Sequence, residues 1–166
     1  ILNAANTFTG VLTANTGTVT VANKQSYTGA TVVGTTATLT LNGFGSILGS
    51  SGITAGVGSS LVIDNLAINM VDRIATATPI TLNGATLNFV ANNNINTPTA
   101  ETVGTITLAS GQSTIQVGYA SAPVIGATSV FTSGAFARNA GATANFIGGT
   151  GNVTPLGTAT ASPRTS

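Results

Sequence analysis

The feature that most constrains the fold of this chain is a pair of short strand-like segments that recurs along it. Each copy has an apolar residue that is usually followed by Thr, then a short turn containing Gly, then an apolar-x-apolar segment. Complete copies span residues 53–63, 80–89 and 106–117, and a degraded copy spans 136–146. Residues 18–21 and 38–41 show the second segment alone. Recurrence of this kind predicts a repetitive all-β protein whose units bury their apolar sides against one another.

The apolar residue that anchors each second segment predicts how the units stack. Successive anchors lie 20 to 29 residues apart, and around them apolar and polar residues alternate. That alternation is typical of a strand with one buried side and one solvent-facing side. The anchors are Val19, Leu39, Leu61, Leu87, Ile115 and Ala144.

Two architectures accommodate such strands. An antiparallel sandwich would use tight hairpins, for which Asn42-Gly43 and Asn83-Gly84 are suitable. A parallel β-helix explains in addition why a similar strand pair returns every 20 to 30 residues, because each coil lies on the one before it. We therefore predict a single parallel β-solenoid domain of about six coils over residues 1–150. Residues 151–166, which contain Pro155 and Pro163 and lack strand alternation, are predicted to form a loose extension or linker.

The composition excludes several classes of function. The chain has no Cys and no His, so it offers no disulfide, no thiolate nucleophile, no imidazole base and no Cys or His metal ligand. Four Lys and Arg residues against three Asp and Glu are too few to neutralise a run of phosphates, so we expect no nucleic-acid partner. Polar residues interrupt every apolar run well short of about 20 residues, so we expect no membrane-spanning helix. The start at Ile1, without Met or a basic leader, indicates a processed product or a fragment.

The carboxylates Asp64, Asp72 and Glu101 are the first residues to consider for chemistry. Glycoside hydrolysis requires two carboxyl groups roughly 5–10 Å apart, and Asp64 with Glu101 could meet on adjacent coils. We favour instead a corner at Asp64-Asn65 and a solvated strand end at Glu101. Asp64 and Asp72 could contribute to a weak calcium site, but calcium usually takes about 6–8 oxygen ligands. We predict no catalytic, metal or cofactor-binding residue, no cofactor and no enzymatic activity.

Three aromatic residues raise the alternative of a glycan-stacking platform. Phe8 and Tyr27 occupy equivalent places in the repeat, whereas Phe44 lies between two glycines. A stacked position shared by successive coils explains Phe8 and Tyr27 more simply than a sugar site does. We therefore predict that these two rings stack.

Several segments resemble a known family of repeats. Residues 6–10 (NTFTG), 26–33 (SYTGATVV) and 37–41 (ATLTL) are similar to the autotransporter-associated β-strand repeat, and residues 80–87 and 101–108 are similar to the coils that usually follow it. The resemblance covers roughly residues 6 to 150. It implies a right-handed β-helix in a secreted or surface-displayed bacterial passenger, where such repeats serve mainly as scaffold.

The ends of a β-helix suggest what such a scaffold does. Unpaired strand edges promote further pairing unless charge, proline or a covering helix blocks them, and residues 1–21 carry no charged side chain. Such uncapped ends have two explanations: either the chain is a fragment whose neighbouring coils are missing, or subunits stack end to end. We predict a structural extracellular or cell-surface protein that self-associates end to end or through strand edges into a fibre or surface layer. An adhesin or glycan-binding passenger, with contact loops at 92–99 and 118–123, is the alternative. A carbohydrate-active enzyme ranks third.

Overall fold

The computed structural model describes residues 1–149, which form twelve β-strands and no helix. The first sheet contains β1 (Leu12–Ala14), β3 (Thr31–Val33), β5 (Ile53–Ala55), β7 (Ile80–Asn83), β9 (Pro98–Ser110) and β11 (Thr128–Arg138). The second contains β2 (Thr18–Val21), β4 (Thr38–Leu41), β6 (Ser60–Asp64), β8 (Thr86–Val90), β10 (Gln112–Gly118) and β12 (Thr143–Gly149). The predicted extension at 151–166 lies outside the described residues.

The pairing of these strands is parallel throughout, and the chain visits the two sheets in alternation. The result is a β-solenoid with roughly 27 residues per turn. This confirms the predicted parallel β-helix and excludes the antiparallel sandwich. We call each consecutive strand pair a rung, so that β1 and β2 form rung 1 and β11 and β12 form rung 6. Neighbouring strands in a sheet are about 4.8 Å apart.

The register of the second sheet confirms five of the six predicted anchors. Val19 pairs with Leu39, Leu39 with Leu61, and Leu61 with Leu87, which in turn pairs with Ile115. Leu39, Leu61 and Leu87 are fully buried. Their side chains stack because in-register parallel strands place identical positions of successive rungs directly above one another.

The sixth predicted anchor, Ala144, is wrong by two residues. Ile115 pairs with Phe146, and Ala144 pairs with Ser113 instead. The last rungs contain longer strands, since β9 has 13 residues and β11 has 11, so the 20- to 28-residue spacing of the earlier anchors does not extend to rung 6.

The prediction of a lone second strand in the two earliest units is also wrong. Rungs 1 and 2 each possess a first strand, β1 and β3, and these pair in register with each other and with β5. Both are only three residues long and lack the Ile-Thr pair that marks the later copies, Leu12-Thr13-Ala14 and Thr31-Val32-Val33 standing there instead. β5 is equally short but begins with Ile-Thr, so the missing pair, rather than the length, explains why β1 and β3 are not recognisable from the sequence.

A left-handed residue forms the tight corner between the two strands of every rung. The corner residues have φ between 59° and 81° and are Gly17, Thr36, Gly58, Gly84, Gly111 and Gly141. Glycine adopts this conformation without a steric penalty, whereas a residue with a Cβ pays roughly 1–2 kcal/mol. Thr36, at φ 59°, is therefore the strained member of the column.

The core lies between the inner sides of the two sheets. It consists mainly of aliphatic side chains that stack along the axis, with Phe89 among the largest fully buried members. Val, Ile, Leu and Thr suit these positions because branched side chains pack well on a pleated, half-buried surface. Burial of apolar area, at about 25 cal/mol per Å², thus supplements the hydrogen bonds that run between rungs.

Candidate functional site

Glu101 is buried, so the prediction of a solvated strand end at this position is wrong. The residue lies within β9, and only 1% of its surface is exposed. Its carboxylate accepts hydrogen bonds from the backbone N–H of Ile74 at 2.9 Å and from the backbone N–H of Arg73 at 3.1 and 3.2 Å. The sequence does not reveal this burial, because the donors that bind the Glu101 carboxylate are main-chain groups 27 and 28 residues away.

The position of Glu101 explains why a carboxylate is tolerated inside the solenoid. In the earlier rungs a third line of backbone hydrogen bonds joins the coils, from Gln25 N–H to the Ser46 carbonyl and from Ile47 N–H to the Arg73 carbonyl, each at 2.8 Å. In the next coil the 13-residue strand β9 occupies this region. The Glu101 side chain then supplies the acceptor that a main-chain carbonyl supplies in the earlier coils, which satisfies buried N–H groups that would be costly to leave unpaired.

Burial also changes the acidity of Glu101. Desolvation raises its pKa from 4.5 to about 7, although the two backbone N–H groups and the Arg73 guanidinium favour the charged form, and Asp72 adds a further rise. Near neutral pH the side chain is therefore close to half protonated. In its present position it cannot donate a proton to an external substrate unless the surrounding corner opens.

Arg73 is the second buried ionisable residue of this corner, with 0% exposure. Its guanidinium donates hydrogen bonds to Asn65 Oδ1 at 2.8 Å and to three main-chain carbonyls, those of Gly45 at 2.7 Å, Gly43 at 3.0 Å and Ile68 at 2.9 Å. Burial lowers the pKa of Arg73, and the charges of Asp64 and Glu101 oppose that shift. The side chain thereby ties the turn after β4 to the loop after β6.

The sequence gives Arg73 no role beyond its place among the four Lys and Arg residues. The structure shows why a guanidinium fits at this place. Gly43 and Gly45 flank Phe44, and a Cβ at Gly45 would collide with the Val21 carbonyl. A turn built from glycines exposes main-chain carbonyls, and a guanidinium with five donors is well suited to bind them.

The other two carboxylates do not join Glu101 in an open site. Asp64 Oδ1 accepts a hydrogen bond from the Leu66 backbone N–H at 2.9 Å, which fits the predicted corner at Asp64-Asn65. Asp72 lies in the exposed loop after β6. Residues 1–149 contain no group of three or more Asp, Glu, His or Cys side chains that could hold a metal ion, and no helix long and apolar enough to cross a membrane.

The aromatic residues divide as predicted. The rings of Phe8 and Tyr27 stack in parallel, with centroids 4.8 Å apart and an interplanar angle of 1°. Tyr27 is buried, and its hydroxyl shares a 2.6 Å hydrogen bond with the Thr31 hydroxyl. Phe44 stands elsewhere, in the turn after β4, and is exposed. The two rings therefore occupy equivalent positions in successive coils. Phe8 remains 39% exposed.

The two predicted contact loops lie next to each other in space. The first is shorter than predicted, because β9 begins at Pro98 and Thr99 is buried within it. Asn93 connects the two loops, since its Nδ2 donates to Ser121 Oγ at 3.0 Å and to the Ala122 carbonyl at 2.7 Å, and its Oδ1 accepts from Val124 N–H at 2.9 Å. The loops after β8 and β10 thus form one hydrogen-bonded unit.

No family model matches this chain, and no curated protein or solved structure is significantly similar to it. The resemblance of residues 6–41 and of the later coils to the autotransporter-associated repeat therefore stays a prediction.

Proposed function

We propose that this protein is a structural β-solenoid that builds an extracellular or cell-surface fibre or layer by stacking end to end. The observation that carries the proposal is the strand edge at each end of the described solenoid. β1 and β11 are the outermost strands of the first sheet, and β2 and β12 are the outermost strands of the second, with a single bridge from Leu2 to β2. Within residues 1–149 no strand pairs with their outer edges, and such edges favour the addition of another strand.

Exposed apolar side chains accompany these edges. Phe136 on β11 and Phe146 on β12 are 45% and 50% exposed, and their ring centroids lie 5.7 Å apart. This pair therefore spans the gap between the two sheets at the last rung. At the other end Ile1 and Val11 are exposed, and Leu2 already adds a parallel bridge to Val21. Apolar contact and strand pairing would act together when a second copy docks.

Charge does little to block the ends. Residues 1–21 have no charged side chain, and Arg138 is the one charged residue between 128 and 149. Because every pairing within the solenoid is parallel, β11 of one copy can pair with β1 of the next copy in the same parallel orientation. A contact between two different surfaces of the same chain adds one subunit after another. Unless the rotation between subunits closes a ring, such a contact produces filaments.

Electron microscopy of the full chain at neutral pH tests this proposal. We expect filaments from the natural sequence and short, dispersed particles from the double variant Phe136→Asn with Phe146→Asn. Val57→Asn is the matched control, since Val57 is 61% exposed but lies at the corner between β5 and β6, away from both ends. Dispersed particles from the natural sequence, or filaments unaffected by the double substitution, would contradict end-to-end stacking.

An adhesin or glycan-binding scaffold is the second candidate, and the joined loops after β8 and β10 favour it. Because Asn93 fixes the two loops to each other, they could present a preorganised contact surface. Binding on a glycan array that disappears when residues 119–124 are replaced by a Gly-Ser linker would support this function. The extracellular setting of both candidates rests on the resemblance to the autotransporter-associated repeat. Polysaccharide cleavage abolished by Glu101→Gln would instead favour the third-ranked enzyme.

A further inference from the structure

The connection between β6 and β7 contains a buried charge and lies against a second one. We call this connection, residues 65–79, the corner segment. Within residues 1–149, Arg73 in the corner segment and Glu101 on β9 are the only charged residues that are buried. A solenoid that is otherwise built from apolar and uncharged polar side chains therefore places both of its buried charges in one corner.

The corner segment runs beside the first half of β9 and is bound to it at three places. Asn69 Nδ2 donates to the Pro98 carbonyl at 2.8 Å, and the Gly104 N–H donates to the Thr78 carbonyl at 2.9 Å. Between these two contacts the Glu101 carboxylate binds the middle of the segment. Glu101 is thus the one contact of the three whose strength depends on pH.

Glu101 binds the corner segment through main-chain donors alone. Its carboxylate accepts hydrogen bonds from the N–H groups of Arg73 and Ile74. The three guanidinium nitrogens of Arg73 donate elsewhere, to the Asn65 side chain and to main-chain carbonyls. The carboxylate is therefore buried without a hydrogen bond from a cationic group, an arrangement that penalises its charged form.

The neighbouring charges determine how the contact responds when Glu101 ionises. Burial is the main reason why the pKa of Glu101 rises to about 7; the N–H groups of Arg73 and Ile74 and the Arg73 charge oppose this rise, and Asp72 adds to it. Asp72 belongs to the same segment that Glu101 binds. Ionisation of Glu101 therefore sets two negative charges against each other across the contact.

The other charged groups of this region do not offset that repulsion. Asp64 acts on Arg73 and not on Glu101. On the other side of β9, β11 places the apolar Phe131 opposite Glu101, and its one charged residue, Arg138, is the last residue of the strand. An ionised Glu101 thus meets no cation on the β11 side.

We propose that Glu101 and residues 72–74 form a pH-operated latch, which is closed while the Glu101 carboxyl is protonated and opens locally when it ionises. Opening brings the carboxylate into water and separates it from Asp72. Since Arg73 also binds the carbonyls of Gly43 and Gly45, release of residues 72–74 frees the turn after β4 as well. Segments with such contacts can open without global unfolding, and the latch does not depend on end-to-end stacking.

Trypsin reports on the latch directly because it cleaves after Arg73. This residue is buried, so the bond after it can be cut only when the corner segment opens, whereas Lys24 and Arg138 are exposed and provide reference bonds in the same molecule. The measured quantity is the cleavage rate after Arg73 divided by the rate after each reference residue. This ratio cancels the pH dependence of trypsin itself.

The expected effect follows from the two pKa values of Glu101. Cleavage tracks the population of the open form when opening and closing are fast relative to cutting. With a pKa of about 7 in the closed form and 4.5 without burial, the ratio should rise about tenfold between about pH 6 and about pH 8.5.

Three variants of the full chain separate the latch from other effects of pH. Glu101→Gln keeps an acceptor for the Ile74 N–H but cannot ionise, so its ratio should stay level. Asp72→Asn replaces an exposed side chain and should diminish the rise, because the like charge is gone. Asp64→Asn is the matched control and should keep the full rise, since Asp64 does not act on Glu101.

A ratio that stays level in the natural protein, or that rises as much in Glu101→Gln, overturns the inference. Equal acceleration at all three bonds would also overturn it, because the effect would then be global unfolding. If circular dichroism shows that Glu101→Gln does not fold, Asp72→Asn decides, and an undiminished rise in that variant overturns the latch.

Discussion

Replacing Glu101 with Gln is expected to remove most of the pH dependence of stability between about pH 4.5 and pH 8. The pKa of Glu101 is about 7 in the folded protein and 4.5 in the absence of burial. The folded protein therefore holds this proton more tightly than the unfolded chain does. The stabilisation due to the proton is fully present below about pH 4.5 and is lost as the pH rises through about 7.

The magnitude follows from the size of the shift. A difference of about 2.5 pKa units, from 4.5 to about 7, corresponds at roughly 1.36 kcal/mol per unit to about 3 kcal/mol. Because the chain has no His, few other side chains change charge in this window. The free energy of unfolding of the natural protein should thus fall by about 3 kcal/mol from acid to mildly alkaline pH.

Urea denaturation at a series of pH values measures this effect. The Gln side chain can still accept a hydrogen bond from Ile74 N–H through its Oε1, so Glu101→Gln should fold and show a nearly level stability. Asp64→Asn is the control, because it removes a partly exposed carboxylate and should keep the natural pH dependence. A natural protein whose stability is level or rises over this range, or a Glu101→Gln variant that loses as much as the natural protein, would refute the reasoning.

Five further substitutions test other parts of the structure by the same denaturation assay. Thr36→Gly should raise the free energy of unfolding by about 1 kcal/mol by relieving the strain of a left-handed β-branched residue, whereas Gly58→Thr in the same column should lower it by at least as much. Arg73→Met should lower it by at least about 3 kcal/mol, since Asn65 Oδ1 and three main-chain carbonyls each lose a hydrogen bond from the guanidinium, while Arg138→Met should change it by less than about 1 kcal/mol. Tyr27→Phe should cost about 1 kcal/mol through the lost hydroxyl contact and should preserve the ring stack. An unchanged or lowered stability in Thr36→Gly, or an Arg73→Met variant as stable as the natural protein, would contradict the roles assigned to these residues.

The stacking of the rungs could be predicted from the sequence because it depends on local patterns. Leu39, Leu61 and Leu87 each stand in a short alternating segment, and the return of that segment is sufficient to indicate parallel coils. The alternation failed at the ends of the pattern. β1 and β3 lack the Ile-Thr pair that marks the equally short β5, and in the longer last rungs the anchor is Phe146 rather than Ala144.

The polar corner could not be predicted, because its partners are main-chain groups of other rungs. Glu101 reads as a solvated strand end until its two backbone donors are known, and the acceptors of Arg73 are carbonyls whose positions depend on the turns around Gly43 and Gly45. Main-chain donors and acceptors occur at nearly every residue, so sequence alone does not indicate which of them a buried side chain will meet.

Cryo-electron microscopy of the purified full chain at neutral pH tests the central claim of structural self-assembly most directly. We predict filaments in which an axial repeat of about 4.8 Å continues without interruption across the junction between subunits. In these filaments β11 of one copy lies beside β1 of the next. Isolated particles about six rungs long, even at the highest protein concentration tested, would contradict it.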